Sequence, residues 1–304
     1  MRKLIAQTPI ATLAVLAGLM TALLLAFVPI CVRLSEVGPI ATGFYRFFLS
    51  FPFLISWMVF DHMREPNAKV PKTKRDYFLM WGAGAFLALD LIFWHSAMLH
   101  TSVVNAMLLS NLTPIFVSLG SWIIFKQKLT WTLILAIIAA TIGSIILVGG
   151  TFSLNTGHAY GDMLAFISCL FFSAFLVSVQ ALRQHFRSPT IMAWGAIPTM
   201  YILALVALIS GENIIPHSLH GWSVLFFMAL VIHILGQGLL TFSMAHISAT
   251  ISSLLMSMAP VFSAFLAWIF FQERLSSAQL LGGSIVLAGV FIARIPQAKE
   301  RKPD

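Results

Sequence analysis

Ten apolar stretches follow one another along the chain, separated by short polar connections. A helix needs about 20 predominantly apolar residues to cross the hydrocarbon core of a bilayer, and the stretches come close to or exceed that length. The series predicts an all-α integral membrane protein with ten transmembrane helices. The predicted spans cover residues 11–32, 39–60, 77–99, 102–125, 131–149, 160–182, 191–210, 221–244, 248–271 and 278–293.

The composition excludes a chain whose whole surface faces water. Of the 304 residues, 59% are hydrophobic and 9% are charged, whereas a soluble domain carries about 25% charged residues. The net charge of +8 is spread through this apolar chain, so we expect no nucleic-acid partner. Cys31 and Cys169 lie in apolar runs, which argues against disulfides and a thiolate metal site. The expected partners are a small-molecule substrate and the lipid bilayer, with no cofactor; the sequence sets no oligomeric state.

The positions of Lys and Arg predict the orientation of the spans, because these residues are retained on the cytoplasmic side near span ends. With both termini inside, the cytoplasmic connections and tails hold 15 of the 18 basic residues. Arg33 and Arg274 then lie outside, and Arg46 lies within a span. We therefore predict a multi-pass protein of a bacterial-type inner membrane, with cytoplasmic N- and C-termini.

The last two predicted spans of each half align at an offset of 146 residues, with ten identities over residues 100–129 and 246–275. Each half then contains five spans, and an odd number inverts the second half in the membrane. We predict two inverted five-helix repeats, residues 1–150 and 151–304, the second ending in a short basic cytoplasmic tail. Inverted repeats are common in alternating-access carriers, whose substrate site lies near the bilayer midplane.

The aligned segments resemble EamA-type members of the drug/metabolite transporter superfamily. Residues 114–129 and 260–275 have Pro-x-Phe early and Trp late, and the second copy closes with Gln-Glu-Arg-Leu. Two further segments are similar to that family, Tyr45-Arg46-Phe47 after Gly38-Pro39 and Trp94-His95-Ser96-Ala97 before Thr101-Ser102. One position departs from the family pattern, since the acidic residue that typically ends the fourth span is Gln127 here.

The resemblance implies transport and leaves the solute open. Relatives of this type export or exchange amino acids and other small metabolites, and some move nucleotide-linked compounds, vitamins or drugs. We expect a secondary transporter that exports a small polar metabolite, such as an amino acid or a derivative. Import or exchange of another metabolite is the alternative.

Arg46 and Asp90 are the charged residues that lie clearly inside predicted spans. Such residues are costly in lipid and usually face a cavity. From a rise of 1.5 Å per residue, Arg46 lies roughly 10 Å and Asp90 roughly 13 Å below the outer span ends. Our hypothesis is that they form, or can form, an ion pair beside a central cavity, with Arg46 also available to a substrate carboxylate. The alternative is a purely structural link between the second and third helices.

Polar stripes on two spans are expected to face the same cavity. Asp90 and Trp94 share one face of the third span, and His233, Gln237 and Thr241 recur at spacings of four in the eighth. Asp90 and His233 can both bind a proton, so we consider proton coupling. Hydrogen bonding between helices is the alternative for His233.

Amides, hydroxyls and prolines complete the predicted site. Asn105 and Asn111 lie in the fourth span, and Ser257 aligns with Asn111 in the ninth. Pro114 and Pro260 each remove a helical hydrogen bond and are expected bend points for gating. The predicted substrate-binding residues are Arg46, Asp90, Trp94, Asn105, Asn111, His233, Gln237 and Ser257.

Two other functional classes are weaker interpretations. An integral-membrane enzyme would need paired carboxylates or a histidine cluster in one leaflet, and the sequence presents Asp90 without such a partner. A passive channel would show flux that never saturates. We therefore do not expect an enzyme.

Overall fold

The computed structural model describes residues 2–101, 106, 109–127, 130–149, 159–271 and 277–299. Over these ranges the chain consists of α-helices and one π-helical segment, with no strand. Seven helical stretches are long and apolar enough to cross a membrane, and three are shorter apolar helices. The predicted all-α membrane fold is confirmed.

We number the spans in chain order. Spans 1, 2, 3, 6, 7, 8 and 9 are the long ones, Ile10–Val32, Pro39–Arg64, Lys74–His100, Ala159–Arg183, Ser188–Ile209, Leu219–Ser243 and Ala249–Leu266. Spans 4, 5 and 10 are the shorter helices Thr113–Phe125, Trp131–Ile146 and Ser277–Ile292. Span 9 continues helically to Phe271, span 5 to Gly149 and span 10 to Lys299.

Several spans consist of two helical pieces, and a proline stands at the start of the second piece. The breaks follow Leu25 in span 1, Phe48 in span 2 and Met256 in span 9, and a turn at residues 111–112 precedes span 4. Proline lacks an N–H and fits the first turn of a helix, where that donor has no intrahelical partner. The second pieces are Val28–Leu34, Phe51–Arg64, Thr113–Phe125 and Ala259–Phe271.

The main contacts between spans follow a two-fold pattern: a contact made by a helix of one half is also made by the corresponding helix of the other half. Spans 5 and 10, 2 and 7, and 4 and 9 each join a helix to its own counterpart. Span 3 packs on spans 6 and 7, as span 8 packs on spans 1 and 2, and span 4 packs on span 6, as span 9 packs on span 1. This is the arrangement expected of a duplicated five-helix unit.

Glycines permit close approach where these pairs cross. A methyl group on Gly143 would lie 2.6 Å from the backbone nitrogen of Val286, and one on Gly289 would lie 2.8 Å from the carbonyl oxygen of Ala136. Both contacts join spans 5 and 10. Small residues that bring backbones together are the usual way to pack helices in lipid, where burial of apolar surface drives little association.

Large apolar side chains remain exposed on the outside of the bundle. They include Leu13, Trp81, Ile138, Leu208 and Phe291. A patchwork of this extent on a water-facing surface would cause association, whereas lipid tails accommodate it. The exterior therefore agrees with insertion in a bilayer.

Candidate functional site

A cavity of about 200 Å³ lies between the two halves of the chain. Spans 1, 2 and 3 and the start of span 4 line it from the first half, and spans 6, 8 and 9 from the second. Most of the wall is apolar, with a few polar groups, as in typical small-molecule sites. The polar lining residues are Arg46, Asp90, Ser110, Asn111, Thr113, Ser168, Gln237, Ser253, Ser257 and Ser263.

Three of the helix breaks lie on this cavity. Ala26, Asn111 and Ser257 stand at the breaks of spans 1, 4 and 9, and all three line the wall. Breaks free backbone groups that side chains can bind, which is why discontinuous helices often surround transport sites. Here the Ser263 hydroxyl donates to the Ala26 carbonyl oxygen at 3.1 Å.

Asp90 is 9% exposed and faces the cavity from span 3. The Ser168 hydroxyl on span 6 donates to Oδ1 of Asp90 at 2.6 Å. This hydrogen bond crosses from the first half to the second and leaves Oδ2 of the carboxyl group available for a further partner. Asp90 thus supplies the negative side of the site.

Arg46 is 5% exposed and faces the same cavity from span 2. Arg46 and Asp90 form no direct salt bridge in this conformation of the described residues. Over the described part of the chain, the salt bridges are those of Arg187 with Asp61 and Glu65. Asp90 instead accepts the hydrogen bond from Ser168, and the Arg46 guanidinium lies 5.9 Å from the Phe47 ring centre.

Four further predicted site residues also line the cavity, namely Trp94, Asn111, Gln237 and Ser257. The Nδ2 donor of Asn111 and the Oε1 acceptor of Gln237 are buried without a hydrogen-bond partner. An unpaired buried polar atom is costly, and a polar ligand would relieve that cost. The arrangement offers donors and acceptors to a solute that carries both kinds of group.

His233 and Thr241 do not join Gln237 on the central cavity. They line a second, smaller cavity of about 30 Å³, which Gln237 also borders. The three residues share the smaller cavity, so they do lie on a common face, but the prediction that all three face the same cavity as Asp90 is wrong for His233 and Thr241. Residues 228–237 form a π-helix with i→i+5 hydrogen bonds, and the three residues still share the face of span 8 that borders the smaller cavity. The His233 ring packs on Phe47, with ring centres 4.3 Å apart.

The prolines expected as bend points begin new helical pieces. Pro114 occupies the first turn of Thr113–Phe125 and lies off the central cavity, whereas Pro260 begins Ala259–Phe271 and lines it. The bends are present, but the helix stops before each proline and does not continue through it as predicted. Asn105 lies outside the described residues.

Ser168 is a site residue that the sequence did not single out. It lies on span 6 with another serine, Ser173, whose hydroxyl donates to the carbonyl of Cys169 within the same helix. Nothing in the sequence distinguishes a serine that bonds its own helix from one that reaches Asp90. Only the packing of span 3 on span 6 makes that distinction.

The fold and the site define a polytopic membrane protein with two related halves around a cavity that carries a few polar groups. The model of the EamA-like transporter family matches residues 9–149 and 159–295. The chain therefore belongs to the EamA-like transporter family.

The chain is also similar to several curated relatives. The chain is 25% identical over 213 residues to a protein named as a pseudopaline exporter, CntI, from Pseudomonas aeruginosa, covering 69% of this chain and 73% of that one. It is 23% identical over 301 residues to an uncharacterized inner membrane transporter, YhbE, from Escherichia coli, covering 94% and 92%. These names agree with a multi-pass inner-membrane transporter.

Similarity extends to solved structures. One crystal structure superposes with a TM-score of 0.80 at 16% sequence identity, covering 93% of this chain and 97% of the other. At this identity the match supports the fold alone.

Proposed function

We propose that this chain is a secondary transporter that exports a small polar metabolite, such as an amino acid or a derivative. Transport would proceed by alternating access between the halves, residues 1–150 and 151–304. The observation that carries the proposal is the pair Arg46 and Asp90, both buried and both on one cavity between the halves. Two charges of opposite sign in a membrane interior are retained at a cost, and a solute site explains that cost.

The chemistry of the cavity supports a solute with a carboxylate group. The guanidinium of Arg46 binds carboxylates through two parallel hydrogen bonds. Asp90 and the unpaired Oε1 of Gln237 would accept bonds from an amine. Asn111, Ser257 and Trp94 complete the proposed binding set among the cavity residues. Asn105 and His233 remain candidates from the sequence, with His233 acting from the adjoining small cavity.

Export is supported by the relative named as a pseudopaline exporter. Import or exchange of another metabolite is the alternative direction of the same cycle. The proposed topology has cytoplasmic N- and C-termini, because that arrangement puts 15 of the 18 basic residues inside.

Asp90 also supports coupling to protons. A carboxyl group that faces a solute cavity can exchange a substrate amine for a proton, which links the two fluxes. His233 is the second titratable group close to the site. In liposomes, a pH gradient should drive uptake of the solute, and indifference to the gradient would remove coupling from the proposal.

The decisive experiment first identifies the transported solute. Untargeted profiling of cells and medium after overexpression should reveal a solute that accumulates outside, and the purified protein in liposomes should then transport it with saturation. An Arg46→Ala variant, expressed at the same level, should abolish the shift. A solute without any charged group would contradict the role of Arg46. Flux that never saturates would indicate a channel, and conversion of the solute without net flux would indicate an enzyme.

A further inference from the structure

The two halves meet along two seams. The first seam lies where spans 2 and 7 pack together, and two carboxylates fasten it on its outer side. Glu212, after span 7, accepts a hydrogen bond from the backbone N–H of Ala41 in the first turn of span 2, at 2.8 Å. Glu36, before span 2, accepts one from the backbone N–H of Ser218 at the start of span 8, at 2.9 Å. Each carboxylate thus caps a helix of the other half. We call this arrangement the outer clamp.

Two glycines allow the outer clamp to close. A methyl group on Gly38 would lie 2.3 Å from Oε2 of Glu212, and one on Gly221 would lie 2.5 Å from Oε2 of Glu36. Both distances are too short for a carbon atom, so any larger residue would push the opposite carboxylate away.

The same seam is fastened at its inner end. Arg187, between spans 6 and 7, forms a salt bridge with Asp61 near the end of span 2, with Nε and Oδ2 2.8 Å apart. The Lys69 ammonium lies 5.6 Å from the centre of the Phe186 ring. These two connections are the counterparts of the outer ones after exchange of the halves. The outer clamp and the inner contacts are thus present in the same conformation, so the first seam is closed at both its outer and its inner end.

The second seam joins spans 4, 6 and 9, and one glutamine side chain connects all three. Oε1 of Gln180, on span 6, accepts hydrogen bonds from the Ser121 hydroxyl on span 4 at 3.4 Å and from the backbone N–H of Ala249 on span 9 at 3.1 Å. Gln180 is 8% exposed, and both of its partners are buried.

This connection lies below the central cavity. Phe172 lines the cavity on span 6 and Thr113 lines it on span 4, and Gln180 and Ser121 each follow eight residues later along their helices. Eight residues of helix correspond to about 12 Å. In the proposed topology, the ends of spans 4 and 6 and the start of span 9 face the cytoplasm. Gln180 therefore closes the cavity from the cytoplasmic side.

The counterpart of Gln180 in the first half cannot form such a connection. The offset of 150 that aligns Arg33 with Arg183 puts Ile30 in this position, and isoleucine has neither a side-chain donor nor an acceptor. Span 1 reaches span 9 through its backbone instead, since the Ala26 carbonyl oxygen accepts a hydrogen bond from Ser263, so the two ends of the second seam are fastened by different groups.

We propose that Gln180 is the latch of the cytoplasmic gate, which opens where spans 4, 6 and 9 meet, while the first seam stays closed as the axis of the movement. The inference rests on the proposed alternating access, which needs one end of the cavity to open at a time. A seam fastened at both ends suits an axis. A seam tied by two neutral hydrogen bonds suits a gate, because such bonds are weak enough to break in each cycle.

Accessibility of the cavity tests the latch without knowledge of the solute. The half-buried Met256 lines the cavity, so Met256→Cys, with Cys31 and Cys169 replaced by Ser, provides a single thiol. A membrane-impermeant maleimide is applied to inside-out vesicles. Gln180→Leu should raise the labelling rate roughly tenfold, as expected when about 1.4 kcal/mol of hydrogen bonding is lost. Gln180→Glu keeps the acceptor oxygen and should not raise the rate.

Matched controls separate gating from misfolding. Gln184→Leu makes the same chemical change at an exposed position just after span 6 and should leave the rate unchanged. Equal labelling of Gln180→Leu and the parent, with both monodisperse in size-exclusion chromatography, would overturn the latch. Faster labelling from the outer side alone would also overturn it, since the gate would then be on the wrong face.

Cross-links test the fixed seam. Cβ of a residue at position 38 would lie 2.6 Å from Cβ of Glu212, so Gly38→Cys with Glu212→Cys needs an opening of about 1 Å to form a disulfide. Once the solute is known, this bridge should leave transport intact, whereas a short thiol cross-linker between Ser121→Cys and Gln180→Cys should stop it reversibly. Loss of transport on bridging the first seam would overturn the axis. A parent protein that transports nothing would contradict the proposed function, and the labelling result would stand apart from it.

Discussion

The substitution Gly84→Ala tests how closely the backbones of spans 3 and 7 approach each other. Cβ of Gly84→Ala would lie 2.1 Å from the carbonyl oxygen of Gly195 on span 7 and 2.8 Å from Cγ of Pro198. Ordinary van der Waals contact begins near 3.4 Å. The two backbones must therefore separate locally by about 1.3 Å, because the nearest atom belongs to the backbone and cannot rotate away.

The cost has two parts. Overpacking of a close contact destabilises a protein by about 1–3 kcal/mol. The Thr199 hydroxyl donates to the Gly84 carbonyl oxygen at 2.8 Å, and separation of the helices would weaken this bond, which costs about 1 kcal/mol. The preference of a helix for alanine over glycine offsets up to about 1 kcal/mol of this cost, so Gly84→Ala should destabilise the bundle by about 1–3 kcal/mol.

Gly82→Ala is the matched control in the same helix. No atom of a neighbouring element lies within 4 Å of a methyl group added there, and replacing glycine by alanine favours a helix by up to about 1 kcal/mol. Both variants are purified in detergent, heated in steps, and measured by the monodisperse fraction in size-exclusion chromatography. Gly84→Ala should lower the midpoint by several degrees and Gly82→Ala should not. Equal midpoints would refute the close approach of the two helices.

Three further predictions concern charges. Arg46→Lys should lower kcat/KM for the identified solute in liposomes by about 10- to 100-fold with folding retained, because an ammonium lacks the two-pronged fork; unchanged transport would exclude bidentate binding. Asp90→Asn should abolish any acceleration by a pH gradient, and an accelerated variant would assign coupling to another residue. The Ser218 hydroxyl and the backbone N–H groups of His217 and Ser218 lower the pKa of Glu36 below its usual 4.5, so these bonds stabilise the fold above that pH and are lost as the pH falls through the lowered value. Glu36→Gln should thus melt below the parent protein at pH 7, with the difference closing as the pH falls below 4.5 and the carboxyl group binds a proton; a constant difference would contradict the titration.

The sequence predicted the polar residues of the cavity better than their mutual contacts. Arg46, Asp90, Asn111, Gln237 and Ser257 all reach one cavity, because polar groups in lipid have few other places to go. Their pairing depends on which helix lies opposite each of them. Asp90 bonds to Ser168, a residue that its own sequence surroundings do not distinguish.

His233 shows what periodicity leaves open. Spacings of four predict a common helical face, and His233, Gln237 and Thr241 do share the smaller cavity. Gln237 alone of the three also reaches the central cavity. Which cavity a face borders depends on the neighbouring helices, and the spacing does not contain that information.

The sequence by itself determined the helical class, the set of spans and the internal repeat, because lipid leaves an apolar chain with few ways to satisfy its backbone hydrogen bonds. The tertiary structure alone decided that Glu36 and Glu212 cap helices of the opposite half, and that Gln180 ties three spans below the cavity. These contacts join residues more than 60 positions apart. Their partners are set by how the two halves pack, which no local pattern records.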